Sequence, residues 1–216
     1  MQVMQKELII VAISDTHQLH REMDVPYGDI LLFAGDLTMF SRSTAAIHDF
    51  NTWLGGLPHP HKYLVYGNHE LFFEVNPARR KVLTNATVLH NESAEVMGMH
   101  IWGSPITPLF GGSFGLSNPV DRVKLYNTIP AETDILITHG PPFGILDCAH
   151  GTSNHQGDRE LLEAVQRIKP RLHVFGHIHG ARGMEVTEDT LFVNAAQLTH
   201  DGHLLNKAAV LRIPLG

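Results

Sequence analysis

Sixteen histidines in 216 residues, set against a single cysteine, put imidazole rather than thiolate at the centre of any metal chemistry this chain performs. Their placement says more than their number. Asp15-Thr16-His17, Gly35-Asp36, Gly67-Asn68-His69-Glu70, His139-Gly140 and Gly176-His177-Ile178-His179 gather carboxylate, amide and imidazole donors into short clusters. Histidine near neutral pH serves as a ligand or as a proton donor. Oxygen and imidazole donors without sulfur suit divalent ions such as Mn²⁺, Zn²⁺ or iron. Asp15 with His17, and His177 with His179, are separated by one residue. On an extended backbone that spacing projects both donors to one side, so each pair can grip one ion or two adjacent ones. Gly35, Gly67, Gly140, Gly176 and Gly180 remove side chains beside the donors and let backbone and substrate come close.

Each cluster directly follows an apolar run: residues 8–13, 30–34, 63–66, 135–138 and 172–175. Such uninterrupted runs are expected to be strands covered on both faces. In an open sheet, ligands bind outside the carboxyl ends of the strands, so the clusters can converge on one crevice. Helical spacing appears at Ala46, Ile47, Phe50 and Leu54, with Ser41 or Ser43 as candidate cap, and at Leu161, Leu162, Val165 and Ile168 before Pro170. Residues 87–103 read as a small antiparallel meander, and 184–186, 191–193 and 208–213 as further strands. Residues 105–118 are glycine-rich and of a length that marks a functional loop near the site. The expected fold is α/β, with two packed sheets and helices outside them.

Composition narrows the class. Hydrophobic residues at 43% and charged residues at 18% support a real core and argue against disorder. A formal charge of −6 offers no electrostatic footprint for long nucleic acid. The run at 8–13 is too short to span a bilayer and has no signal-peptide pattern, so no membrane partner is expected. Cys148 alone allows no intramolecular disulfide and no thiolate zinc cluster. Cytoplasmic localisation and a single domain over 1–216 are the expectations.

In this order the motifs resemble those of the calcineurin-like metallophosphoesterases: D-x-H, G-D, G-N-H-[DE], a later H, and G-H-x-H. The phrases THGPP at 138–142, HVFGHIH at 173–179, WGSP-x-TP at 102–108 and VNAA at 193–196 are similar to the small stand-alone branch called metallophosphoesterase-domain-containing proteins. Some members of that branch lack one histidine of the last motif, whereas this chain keeps both His177 and His179. The resemblance implies a four-layer α/β/β/α sandwich with two central mixed sheets and a dinuclear metal site at the strand carboxyl ends. It implies one metal on Asp15, His17, Asp36 and His179, and a second on Asp36, Asn68, His139 and His177, with Asp36 bridging. Two divalent ions follow, Mn²⁺ first, with iron, Zn²⁺, Co²⁺ and Mg²⁺ as alternatives.

The implied activity is hydrolysis of a small phosphoester, with nucleotides among the candidates. A phosphodiesterase acting on substrates such as cyclic nucleotides comes first, a metal-bridging hydroxide being the nucleophile. His69 is assigned no metal and is expected to protonate the leaving group, acting beside Asp36. Asn68 and His69 are expected at the substrate, and Trp102, Phe110 and Phe114 as a stacking surface for a base. A phosphomonoesterase and a metal-binding scaffold with weak catalysis are the alternatives. Taken singly, each histidine would more often be an ordinary core or surface residue; the ordered set is what argues for a site.

Overall fold

Alternation inside the apolar runs sorts the strands into layers. In β1 (Glu7–Ile13), Leu8, Ile10 and Ala12 face one buried cluster while Val11 and Ile13 face another. The computed structural model describes residues 7–40, 44–108 and 111–214. Within them β1 pairs in parallel with β2 (Ile30–Phe33), which continues to β3 (His61–Leu64) and β4 (Thr87–Val88). The last strand, β11 (Ala209–Pro214), adds antiparallel to the other edge of β1, completing a sheet ordered β11-β1-β2-β3-β4.

The second sheet is ordered β5-β6-β7-β8-β10-β9. Its parallel centre is β6 (Met99–Ser104), β7 (Ile135–Thr138), β8 (Leu172–Phe175) and β10 (Leu191–Asn194). Antiparallel edges are β5 (Glu92–Val96) and β9 (Gly183–Val186). Ile10, Leu32 and Val65 from the first sheet pack on Ile101, Ile137 and Val174 from the second, forming the central core. Removing that apolar surface from water is the main force holding the sheets face to face.

Helices cover the outer faces. The α1 helix (Thr44–Gly56) buries Ile47, Phe50 and Leu54 against Val11, Leu31 and Phe33. A one-turn helix, α2 (Leu71–Glu74), follows the Asn68 cluster. On the other side, α3 (Pro119–Tyr126) and α4 (Arg159–Ile168) cover Trp102, Leu136 and Phe175. Asp158 caps α4, its Oδ1 accepting from the Glu160 and Leu161 amides at 2.9 and 3.3 Å. Lys169, at φ +56°, ends it in the left-handed conformation just before Pro170. The four-layer α/β/β/α arrangement expected from the sequence is therefore the observed one.

Two readings change. Residues 87–103 are not one meander: β4 belongs to the first sheet, parallel to β3, while β5 and β6 form a hairpin in the second. Short apolar runs fix strands without fixing which sheet receives them. Helix α3 has no apolar stripe, since only Arg122 and Tyr126 are buried, so periodicity missed it; Asn118 and Pro119 at its start are the signal that was there. The proposed caps Ser41 and Ser43 lie outside the described residues. No helix among the described residues is long and apolar enough to cross a membrane.

Candidate dinuclear metal centre

The carboxyl ends of β1, β2, β7 and β8 all open on one crevice, and the first sheet joins the second there through a bridge between Ser14 and Ala196. The backbone turns sharply at each exit. Asp15, His17, Asp36 and His177 have φ of +54°, +42°, +58° and +66°. Non-glycine residues seldom adopt this left-handed region, and their occurrence together is a sign of imposed geometry. The donors thus share a direction because of tight turns, not because of the extended backbone inferred from their spacing. Amide-to-carbonyl bonds hold the turns: Asp15 N to Gly35 O at 2.9 Å, His17 N to Asp36 O at 3.1 Å and Gln18 N to Leu37 O at 3.1 Å.

The candidate ligands gather in two groups. Asp15, His17 and His179 place donor atoms within 4.8 Å of one another, and so do Asp36, His139 and His177. Asp36 also groups with His17 and His69. Its Oδ2 lies 3.7 Å from His17 Nε2 and 3.5 Å from His139 Nε2, between the two groups. Asn68 Oδ1 sits 2.9 Å from His139 Nε2 and 3.1 Å from His177 Nδ1, adding an oxygen to the second group. Asp15 Oδ1 is 3.3 Å from His179 Nε2.

The chemistry of the donors fits cations. His17, His139 and His179 turn Nδ1 to the carbonyl oxygens of Thr38, Ala34 and Thr199, at 3.1, 2.9 and 3.3 Å. A carbonyl only accepts, so Nδ1 carries the hydrogen and a neutral ring presents a lone pair at Nε2. His17 Nε2 and His179 Nε2 then face each other at 3.3 Å, two lone pairs that a shared cation would reconcile. Asp15 and Asp36 are 0% and 2% exposed, and their ion-pair partners among the described residues are histidines alone. Buried carboxylates need a positive partner, and an ion would supply one.

Protonation without an ion follows the same logic. Burial would depress His139, yet the Asp36 charge and hydrogen bond push it up to about 9. Burial works against the Asp36 carboxylate too, but the His139 charge holds it far below the usual carboxylate range. Asp15 is lowered against its burial by the His179 hydrogen bond and the His139 charge. His177 is lowered to about 4 by burial, so it stays neutral and ready to coordinate.

Glu70, fully buried, ties the loops together. Its Oε2 accepts from Asp36 N and Gly67 N at 2.9 and 2.7 Å, and Oε1 from Thr38 N and Thr38 Oγ1 at 3.1 and 2.9 Å. Burial and the neighbouring Asp36 charge push its carboxyl up to about 8, against those donors. A Cβ at Gly67 or Gly176 would collide with the Asp36 or Asp15 carboxylate, and one at Gly35 would lie 2.6 Å from His139 Nδ1. These glycines are therefore required by close packing on the ligands.

His69 lies at the rim, its Nε2 3.9 Å from Asp36 Oδ2, its side chain 19% exposed, and burial lowers its pKa. Of the proposed stacking residues, Trp102 is 2% exposed inside the α3/α4 cluster, and Phe114 is 4% exposed, stacked on Tyr66. Neither offers a face to the crevice, because core packing has absorbed both rings; Phe110 lies outside the described residues. The 105–118 loop does reach the site, through Ser113 N donating to Asn68 O at 2.8 Å and Asn68 Nδ2 donating to Gly111 O at 3.3 Å. Phe40, 53% exposed and packed on His69 at 4.4 Å, escaped the sequence reading because it belongs to no motif or strand-length apolar run.

Comparison with known proteins places the chain in a family. The family described as Calcineurin-like phosphoesterase matches residues 8–181. Metallophosphoesterase domain-containing protein 1 of Homo sapiens is 37% identical over 230 residues, covering 94% of this chain and 70% of that protein. A UPF0046 protein of Caenorhabditis elegans is 35% identical over 222 residues, covering 96% of this chain and 76% of the relative. Among solved structures, a Thermus thermophilus protein superposes with a TM-score of 0.62 at 15% identity, over 88% of this chain and 89% of that one. The 5'-nucleotidase precursor of the same organism gives 0.52 at 14%, over 97% and 55%. At such identities these two speak for the fold alone, while the family match spans both halves of the ligand cluster. The chain belongs to the calcineurin-like phosphoesterases.

Proposed function

We propose that this phosphoesterase hydrolyses small phosphodiesters, cyclic nucleotides among them, at a pair of divalent ions held by Asp15, His17, Asp36, Asn68, His139, His177 and His179. Mn²⁺ is the first choice, and the all-oxygen-and-imidazole donor set suits Zn²⁺ or iron as well. When bound, the ions supply Lewis-acid neutralisation of the phosphoryl oxygens and an acidified water as nucleophile. The observation that carries the reading is the convergence of Asp36 on both donor groups.

The chain's own residues have separable tasks. Asp36, braced by Glu70 through its amide, keeps the two donor groups in register. His17, His139 and His179, each fixed by a carbonyl at Nδ1, keep Nε2 turned to the centre. His69, at the crevice rim, is the proton donor to the leaving oxygen; burial lowers its pKa, and the Asp36 charge at 3.9 Å works in the opposite direction, towards the charged ring. General acid assistance of this kind is worth about 10²–10⁴-fold. For diester over monoester the support is the crevice wall: among the described residues that line it there is no Lys or Arg, and Asp201 adds a carboxylate. A second negative charge on the substrate would meet the ions themselves but no Lys or Arg on that wall.

The test is turnover of bis(p-nitrophenyl) phosphate and p-nitrophenyl phosphate by metal-stripped protein, before and after adding Mn²⁺. Metal-restored activity with the diester ahead is expected. A strong monoester preference would overturn the substrate assignment, and no turnover with any divalent ion despite metal uptake would overturn the enzymatic one.

A further inference from the structure

A row of rings crosses the crevice. Phe40 packs on His69 with centroids 4.4 Å apart, His69 on His17 at 4.6 Å, and His17 on His179 at 5.2 Å. Two further histidines with no ligand role, His150 and His200, line the same crevice and stack on each other at 3.8 Å with planes 14° apart. Both loops are attached to the ligand turn. Thr199, next to His200, accepts from His179 Nδ1, and Gly180, next to His179, lies so close to His150 that a Cβ there would sit 2.8 Å from its amide nitrogen. Ile178 and Leu198, 7% and 2% exposed, line the same 580 Å³ crevice beside the pair.

We infer that the stacked His150–His200 pair is a specificity shelf that receives the non-reacting ester group of the substrate, and that this group is a flat aromatic alcohol such as a nucleoside. The inference rests on the phosphoesterase reading and adds the recognition element to it. Two near-parallel imidazoles beside apolar side chains present a flat face, which favours a planar group by stacking. An aliphatic group of similar charge gains little there. The shelf is anchored to the turn that carries His179, so a phosphoryl group held at the centre sets its substituent beside the rings. Trp102 and Phe114 cannot take this part because both are buried, which leaves the task to residues outside the family motifs.

The experiment uses two anions that differ only in the group meeting the shelf: phenylphosphonate and methylphosphonate, titrated into Mn²⁺-loaded protein by calorimetry. About tenfold tighter binding of the phenyl compound is expected. His150→Ala and His200→Ala should each bring that ratio towards one while leaving methylphosphonate affinity and metal content unchanged. His200→Phe should retain the preference, since the flat face survives. Equal affinity for the two anions in the unaltered protein would sink the shelf. So would variants that weaken both anions alike, because the pair would then act through the metal centre. Binding needs no turnover, so the shelf and the enzymatic reading fail separately: a phenyl preference without hydrolysis refutes only the latter, and diester hydrolysis without a preference refutes only the former.

Discussion

Two buried clusters of charge, one under the outer helices of the second sheet and one in the crevice, are neutralised in different ways. Beneath α3 and α4, Arg122 is 7% exposed, pairs with Asp158 Oδ2 at 3.0 Å and Glu160 Oε2 at 2.6 Å, and gives further hydrogen bonds to the Leu116 and Ser117 carbonyls. Tyr126 OH donates to Asp158 at 2.9 Å. The chain supplies its own permanent cation there. In the crevice, the ion-pair partners of Asp15 and Asp36 among the described residues are imidazoles, whose charge depends on pH. A cluster closed by an arginine is complete in itself and costly only to break; one that leaves the cation to come from outside can bind an ion.

The largest test of that contrast is Asp36→Ala. Metal-dependent turnover should fall by about 10³-fold or more, since each metal-borne contribution is worth several kcal/mol. Metal should also cease to raise the melting temperature, and a metal-dependent rise that survives in the variant would erase the distinction between the two clusters. Next comes His69→Asn, for which a fall in kcat of about 10²–10⁴-fold is expected with metal stoichiometry intact; loss of one ion instead would make His69 a ligand.

Arg122→Ala should do the reverse of Asp36→Ala. Stranding Asp158 should cost about 3–5 kcal/mol in urea denaturation while metal stoichiometry holds. Glu70→Gln is milder: an amide cannot accept at both ends from Asp36 N, Gly67 N and Thr38, and metal affinity should drop about 10–100-fold.

The smallest effect is in pH. His139 is raised to about 9 without metal, so its contribution to metal-free stability is complete below its unfolded value near 6.5 and is lost as pH rises through about 9. Metal must displace that proton, so affinity should climb by up to about tenfold per pH unit below 9. Calorimetry in buffers of different ionisation heat should show proton release at about pH 7. Arg122 has no such lever, and its variant should show the same pH dependence of metal uptake as wild type.

Residue order alone marked the donor clusters that the fold gathers in one crevice, because oxygen and imidazole donors placed directly after apolar runs have few other reasons to recur. It carried the covered sheets as well, since runs such as 8–13 and 30–34 have no polar face to give to water. What it did not carry was any choice made by packing. Trp102 and Phe114 looked available for stacking until the core buried them. β4 and β5 looked like neighbours until each found its own sheet. Phe40, His150 and His200 became visible only once turns far apart in the chain had met around His179, because a shelf or a crevice is a property of distances between chain segments, and sequence spacing does not set those.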